Sequence, residues 1–143
     1  MFEPQLKIAP IDTPISLAEA KAHCRVEHDR DDTFIDGLVL SATSYLDGYA
    51  GILGRCLITQ SWEQAYSGWA SVLRLPFPNC TGVTIAYGDE NGDAQSLVGS
   101  DFFVLHDAVS SYVQFSNGFT APGLNSNSPS PVVVTFVAGF GLA

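Results

Sequence analysis

The sequence has 143 residues, 46% of them apolar and 15% charged, and fifteen Asp and Glu against six Lys and Arg give a net charge of −9. A chain of this size buries roughly 68–70% of the surface that its unfolded form exposes, so a packed core is expected and disorder is not. Phosphate repels so acidic a chain, which argues against unaided binding to nucleic acid or to an anionic membrane.

Met1 to Pro14 lacks an apolar run of signal-peptide length, and no stretch approaches eighteen apolar residues, so no membrane span is expected. Cys24, Cys56 and Cys80 are odd in number, far apart and without a CxxC pair, a pattern that fits reduced thiols better than structural zinc.

Residues 1–15 carry Pro4, Pro10 and Pro14 and read as an extended arm lying on a surface. Residues 16–56 read as a helical unit. Ser16-Leu17-Ala18-Glu19 is a capping box that opens a short helix reaching about Val26. An acidic break over Glu27–Asp32 follows, where Asp29 or Asp31 can cap a second helix running from about Arg30 to Ile52. On a helical wheel Phe34, Ile35, Leu38, Val39, Ala42, Tyr45, Leu46, Tyr49 and Leu53 share one broad side, expected to face the core. Asp32, Asp36, Thr43, Ser44 and Asp47 share the other side, with Leu40 alone among them.

Residues 57–143 read as a β-rich unit. The period turns to alternation, and strands are expected over Leu57–Tyr66, Val72–Leu75, Gly82–Tyr87, Gln95–Val98, Phe102–His106, Tyr112–Phe115 and Val132–Val137. Asn91-Gly92 suits a hairpin with positive φ at both turn residues. The stretch 116–131, rich in Gly, Pro, Asn and Ser, has no apolar period and predicts a long loop, flexible in an isolated subunit and ordered against a partner. The fold class is therefore α+β: an N-terminal two-helix unit followed by a small, mostly antiparallel β-sheet domain, one compact domain overall.

Candidate chemistry is thin. Asp89-x-Asn91-x-Asp93 starts like a calcium loop, but Ala94 and Ser100 stand where the pattern needs Gly and Glu. His106-Asp107 are adjacent in a strand and point to opposite faces, so this Asp cannot orient this His for hydrolysis. Cys24 and His28 stand four apart with no further ligand, and Gly139-Phe140-Gly141 lacks the context of a phosphate loop. No catalytic residue, metal site or cofactor is expected.

The order of several weak motifs says more. Ile15-Ser16-Leu17-Ala18-Glu19-Ala20-Lys21-Ala22-His23-Cys24-Arg25-Val26, the acidic break with Asp31-Asp32, and the run from Tyr45 through Gly54-Arg55 to Trp62 follow one another. Leu75-Pro76, the Asn91-Gly92 hairpin and Val134-Thr135-Phe136-Val137-Ala138-Gly139-Phe140-Gly141 come after them. In this order and spacing the chain resembles the head–tail connector (adaptor) family of long-tailed bacteriophages and phage-like gene transfer agents. Members commonly continue past the Gly-Phe-Gly position into a helical segment, whereas this sequence stops at Leu142-Ala143.

The resemblance implies a structural virion protein rather than an enzyme, made in the host bacterial cytoplasm and placed in the neck. There it would form a ring, twelvefold in this family, between the portal protein and a lower neck (stopper) or tail protein, with genomic DNA passing through the lumen. An acidic lumen would let DNA slide without sticking. Leu40, with Asp36 and Asp47 beside it, is the expected contact between subunits, and Phe119 and Leu124 the expected partner contacts of the long loop. A stopper, a tail terminator, or a small carbohydrate-binding module using Trp62 and Trp69 would be the other readings.

Overall fold

A computed structural model describes residues 1–141; the last two residues of the expected β-rich unit, Leu142 and Ala143, lie outside the described residues. The chain divides into two compact units, one of residues 1–9 with 60–138 and one of residues 10–59 with the segment from Gly139.

The first unit holds eight strands, all paired antiparallel: β1 (Gln5–Ile8), β2 (Gln60–Tyr66), β3 (Val72–Leu75), β4 (Thr81–Gly88), β5 (Ala94–Ser96), β6 (Phe102–His106), β7 (Ser111–Phe115) and β8 (Val132–Ala138). They form two sheets, a five-stranded one in the order β1-β2-β8-β4-β5 and a three-stranded one in the order β3-β7-β6, so the expected antiparallel sheet domain is built from two sheets. Strict alternation explains the two central strands. Gln60, Trp62, Gln64 and Tyr66 of β2 and Val132, Val134, Phe136 and Ala138 of β8 are buried, while the residues between them are half-exposed. Phe77, between β3 and β4, lies edge-on to Trp62 with ring centroids 5.1 Å apart and tilted to Phe136 at 6.3 Å. Such aromatic contacts fix the core geometry beyond simple burial.

Within the expected extended arm, Gln5–Ile8 form a strand. β1 closes one edge of the larger sheet, where the Phe2 amide donates to the Ala65 carbonyl and the Gln64 side-chain amide donates to the Phe2 carbonyl. All four β1 residues are exposed, so no alternating pattern marks the strand in the sequence. The hairpin from β4 to β5 also departs from expectation: Gly92 has φ 89, but Asn91 is not in the left-handed region. The Asp89 carboxylate instead accepts from the Asn91 and Asp93 amides and the Gln95 side chain, which shapes a loop longer than two residues.

In the second unit α1 (Leu17–Cys24) starts at the expected capping box, with the Ser16 hydroxyl accepting from the Glu19 amide at 3.2 Å and the Glu19 carboxylate accepting from the Ser16 amide at 2.8 Å. It stops at Arg25, which adopts the left-handed conformation with φ 57. Helix α2 (Asp32–Leu46) is shorter than expected and ends six residues before Ile52. Asp47 leaves the helix in extended conformation, and its carboxylate accepts from the Leu57 amide at 2.6 Å, drawing the chain into a turn. The turn takes the chain from Asp47 as far as Thr59, so β2 begins at Gln60 and not at Leu57. Gly51 is required within it, because an added Cβ would run into the Leu46 and Asp47 carbonyls. Among the described residues no helix is long and apolar enough to cross a membrane.

Candidate assembly surface

Helix α2 buries far less than its apolar pattern suggests. Ile35 and Val39 alone on it are fully buried, packed with Ala20 and flanked by Leu17 and Val26. At about 100° per residue these two define a narrow strip, and apolar residues lie exposed on both of its flanks. On one flank Phe34, Leu38 and Tyr45 form a row, 68%, 53% and 64% exposed, on the side that the wheel assigned to the core. Tyr49, Ile52 and Leu53 in the following turn are exposed as well. The strip is rotated toward Asp32 and Thr43 because α1 approaches from there and the Lys21 ammonium binds the Asp32 carboxylate at 2.6 Å.

Leu40 lies on the opposite flank, 51% exposed, with exposed Asp36 one helical turn before it. The second expected neighbour is placed differently: the Asp47 carboxylate is engaged with the Leu57 amide and belongs to the turn. No Lys or Arg occurs between residues 31 and 54, so both flanks of α2 carry only negative or no charge.

The long loop 116–131 is tied down more firmly than its composition implies. Phe119 stacks on Phe115 with centroids 4.3 Å apart and meets Trp69 edge-on at 5.6 Å. The Trp69 indole donates to the Pro122 carbonyl at 2.9 Å, and the Asn125 amide donates to the Gly88 carbonyl at 3.0 Å. Leu124 is half-buried beside Gly68. Phe119 and Leu124 are thus anchors that hold the loop to its own unit, with part of each left open to solvent. The signal available in the sequence was an aromatic partner, Trp69, almost fifty residues upstream. The same geometry weakens the carbohydrate reading, since Trp62 is buried and Trp69 is enclosed by Tyr87, Phe115 and Phe119.

One polar cluster escaped the sequence reading. His106 and Ser111 face each other across β6 and β7, with the imidazole Nδ1 2.9 Å from the Ser111 hydroxyl. The same hydroxyl accepts from the Cys80 amide at 2.9 Å, and Ser111 is entirely buried. A nucleophile must reach its substrate; this hydroxyl instead fastens the turn at Cys80 to the smaller sheet. Asp107 is occupied elsewhere, accepting from the Val109 and Ser110 amides, which hold its carboxyl down at about 2. Burial pushes the Cys80 thiol up to about 11, so it is a poor nucleophile. Among the described residues no group of three His, Cys, Asp or Glu is arranged to hold a metal ion.

The outer face of the smaller sheet also carries apolar side chains. Phe103 and Leu105 of β6 stand beside Gln114 and Tyr112 of β7, which in turn stand beside Val72 and Arg74 of β3. Phe103 is 60% exposed, and the Arg74 guanidinium lies over the Tyr112 ring, 5.8 Å from its centroid, and 3.3 Å from Asp107.

No curated protein sequence matches the chain. Among solved structures, a chain from the virion of a native gene transfer agent particle superimposes with TM-score 0.74 at 19% identity, covering 99% of this chain and 74% of that one. A chain from the neck of an empty gene transfer agent particle, computed with C6 symmetry, gives 0.73 at 20% identity, covering 99% and 73%. One from the neck of a native particle, computed with C12 symmetry, gives 0.62 at 15% identity, covering 99% and 72%. These likenesses establish a shared fold. The sequence profile of the phage gp6-like head–tail connector proteins matches residues 14–132, and the chain belongs to that family.

Proposed function

We propose that this chain is a structural subunit of a virion neck, closing into a ring between the portal protein above and a lower neck (stopper) or tail protein below. The ring is twelvefold in this reading, and the genome passes through its lumen. The observation that carries the proposal is the exposure of apolar side chains on both flanks of α2, which a stable unit of this size does not need for its own core. Neighbouring subunits in a ring, and the proteins above and below it, cover apolar surface of this kind. The net charge of −9 fits a channel through which DNA slides. Leu40 and Asp36 form the contact between subunits, with Asp47 holding the turn beside them, and the open parts of Phe119 and Leu124 face a neck partner.

Electron microscopy and sedimentation of the purified chain test this. Rings are expected for the wild type. Burying Leu40 contributes about 1.5–3 kcal/mol per interface, so Leu40→Asp should abolish rings at the same protein concentration while helix content and melting stay unchanged. Rings from Leu40→Asp would show that Leu40 is an ordinary surface residue and remove it from the interface.

A further inference from the structure

A closed ring is built from a heterologous contact, in which one patch of each subunit meets a different patch of the next. The Leu40 flank of α2 is one patch, and its counterpart must be apolar and must tolerate or attract the Asp36 carboxylate. The outer face of the smaller sheet meets both conditions. Val72, Phe103, Leu105 and Tyr112 give it an apolar surface, and Arg74 gives it a cation. That cation is scarce: within residues 1–9 and 60–138 the only Lys and Arg are Lys7, paired with Glu63 on the larger sheet, and Arg74, which reaches Asp107 at 3.3 Å across an exposed bridge and would share its charge with Asp36. A side chain held over Tyr112 by its ring face is also preorganised for binding, because little rotamer freedom remains to be lost.

We infer that the outer face of the β3-β7-β6 sheet is the docking surface for a second copy of this chain, receiving the Leu40 flank of the neighbour's α2 with Arg74 facing Asp36. DNA is the wrong occupant for a face that is mostly apolar on a chain of net charge −9. The inference rests on the reading of the chain as a ring subunit and adds the surface that the helix meets.

Charge exchange tests the pairing. Arg74→Glu and Asp36→Arg should each lower the yield of rings at least tenfold, and the double variant should recover most of it. Phe103→Asp, at an exposed position, should abolish rings with the melting temperature preserved. In a second arm, Leu40→Cys chains mixed with Phe103→Cys chains should form disulfide-linked pairs on mild oxidation. If Leu40→Asp blocks rings and Phe103→Asp does not, the sheet face is not the counterpart, although the ring reading stands. If neither variant blocks rings, the contact between Leu40 and the sheet face is overturned while the ring reading stands; an absence of rings in the wild type overturns both proposals. Singles that block without recovery in the double variant would separate Arg74 from Asp36 and overturn the pairing.

Discussion

Lys21 and Asp32 meet at 2.6 Å, a contact that joins α1 to the first turn of α2, and the same ammonium lies 2.7 Å from Asp29. The carboxylates hold the Lys21 ammonium above its ordinary value, and Lys21 holds the Asp29 carboxyl below its own. The Asp29 contribution is therefore present above its unfolded pKa and lost as pH falls through the lowered folded value. The Lys21 contribution is present below its unfolded pKa and lost as pH rises through the raised one. Lys21→Ala should lower the melting temperature clearly more than Lys7→Ala, whose pair with Glu63 is more exposed. Thermal melts of both variants between pH 3 and pH 11 check this, and equal effects would show that the bridge contributes nothing beyond a surface pair.

The capping box at Ser16 gives a second expectation. Its hydroxyl satisfies the Glu19 amide at the helix start, and removing it leaves an orphan donor. Ser16→Ala should destabilise the helical unit by about 0.5–2 kcal/mol, read as a shift in the denaturant midpoint with unchanged slope.

Asp107 offers a pH-dependent signature in the turn between β6 and β7. The Val109 and Ser110 amides place its carboxyl at about 2, below the ordinary carboxylate range. Its contribution is thus complete above about pH 4 and disappears as pH falls toward the folded value. A carboxyl-carbon NMR titration should find the midpoint well below those of ordinary aspartates, and Asp107→Asn should remove this part of the acid sensitivity.

The three thiols should differ in reactivity. Cys24 is exposed, whereas Cys56 and Cys80 are buried and the Cys80 thiol is raised to about 11. One thiol per native chain should react promptly with Ellman's reagent at pH 8, and three in denaturant. Rapid reaction of two or more in the native protein would contradict the burial described.

Local signals carried well from sequence to structure. The capping box depends on four consecutive residues and formed as read, and the alternation of Val132–Ala138 depends only on a strand with one buried face. What failed depended on partners distant in sequence. The α2 wheel counted Phe34, Leu38 and Tyr45 as core because hydrophobicity alone cannot say whether an apolar face is covered by its own chain. Helix α2 stopped early because of Asp47 and Leu57, ten residues apart, and β1 was missed because an exposed edge strand leaves no periodic trace. The exposure of Leu40 was legible as a break in a pattern. The sheet face around Phe103 and Arg74 was not, since its three strands come together only through the β3-β7-β6 pairing.

The ladder between β2 and β8 sets the order in which this protein can fold. It pairs Gln60 with Ala138 and Tyr66 with Val132, so the centre of the larger sheet closes only across most of the strand-forming sequence. Hairpins such as β4–β5 and β6–β7 can form early from neighbouring residues, but β4 meets its other partner, β8, only when the distant strand arrives. Long-range pairing of this kind slows folding to milliseconds or seconds, against microseconds for helical bundles. During that interval Trp62 and Tyr66 of β2 have no cover, and a crowded pool of new chains is at its most prone to aggregate. A single substitution in β8, such as Val134→Asp, should therefore reduce the yield of folded chain long before any question of ring assembly arises.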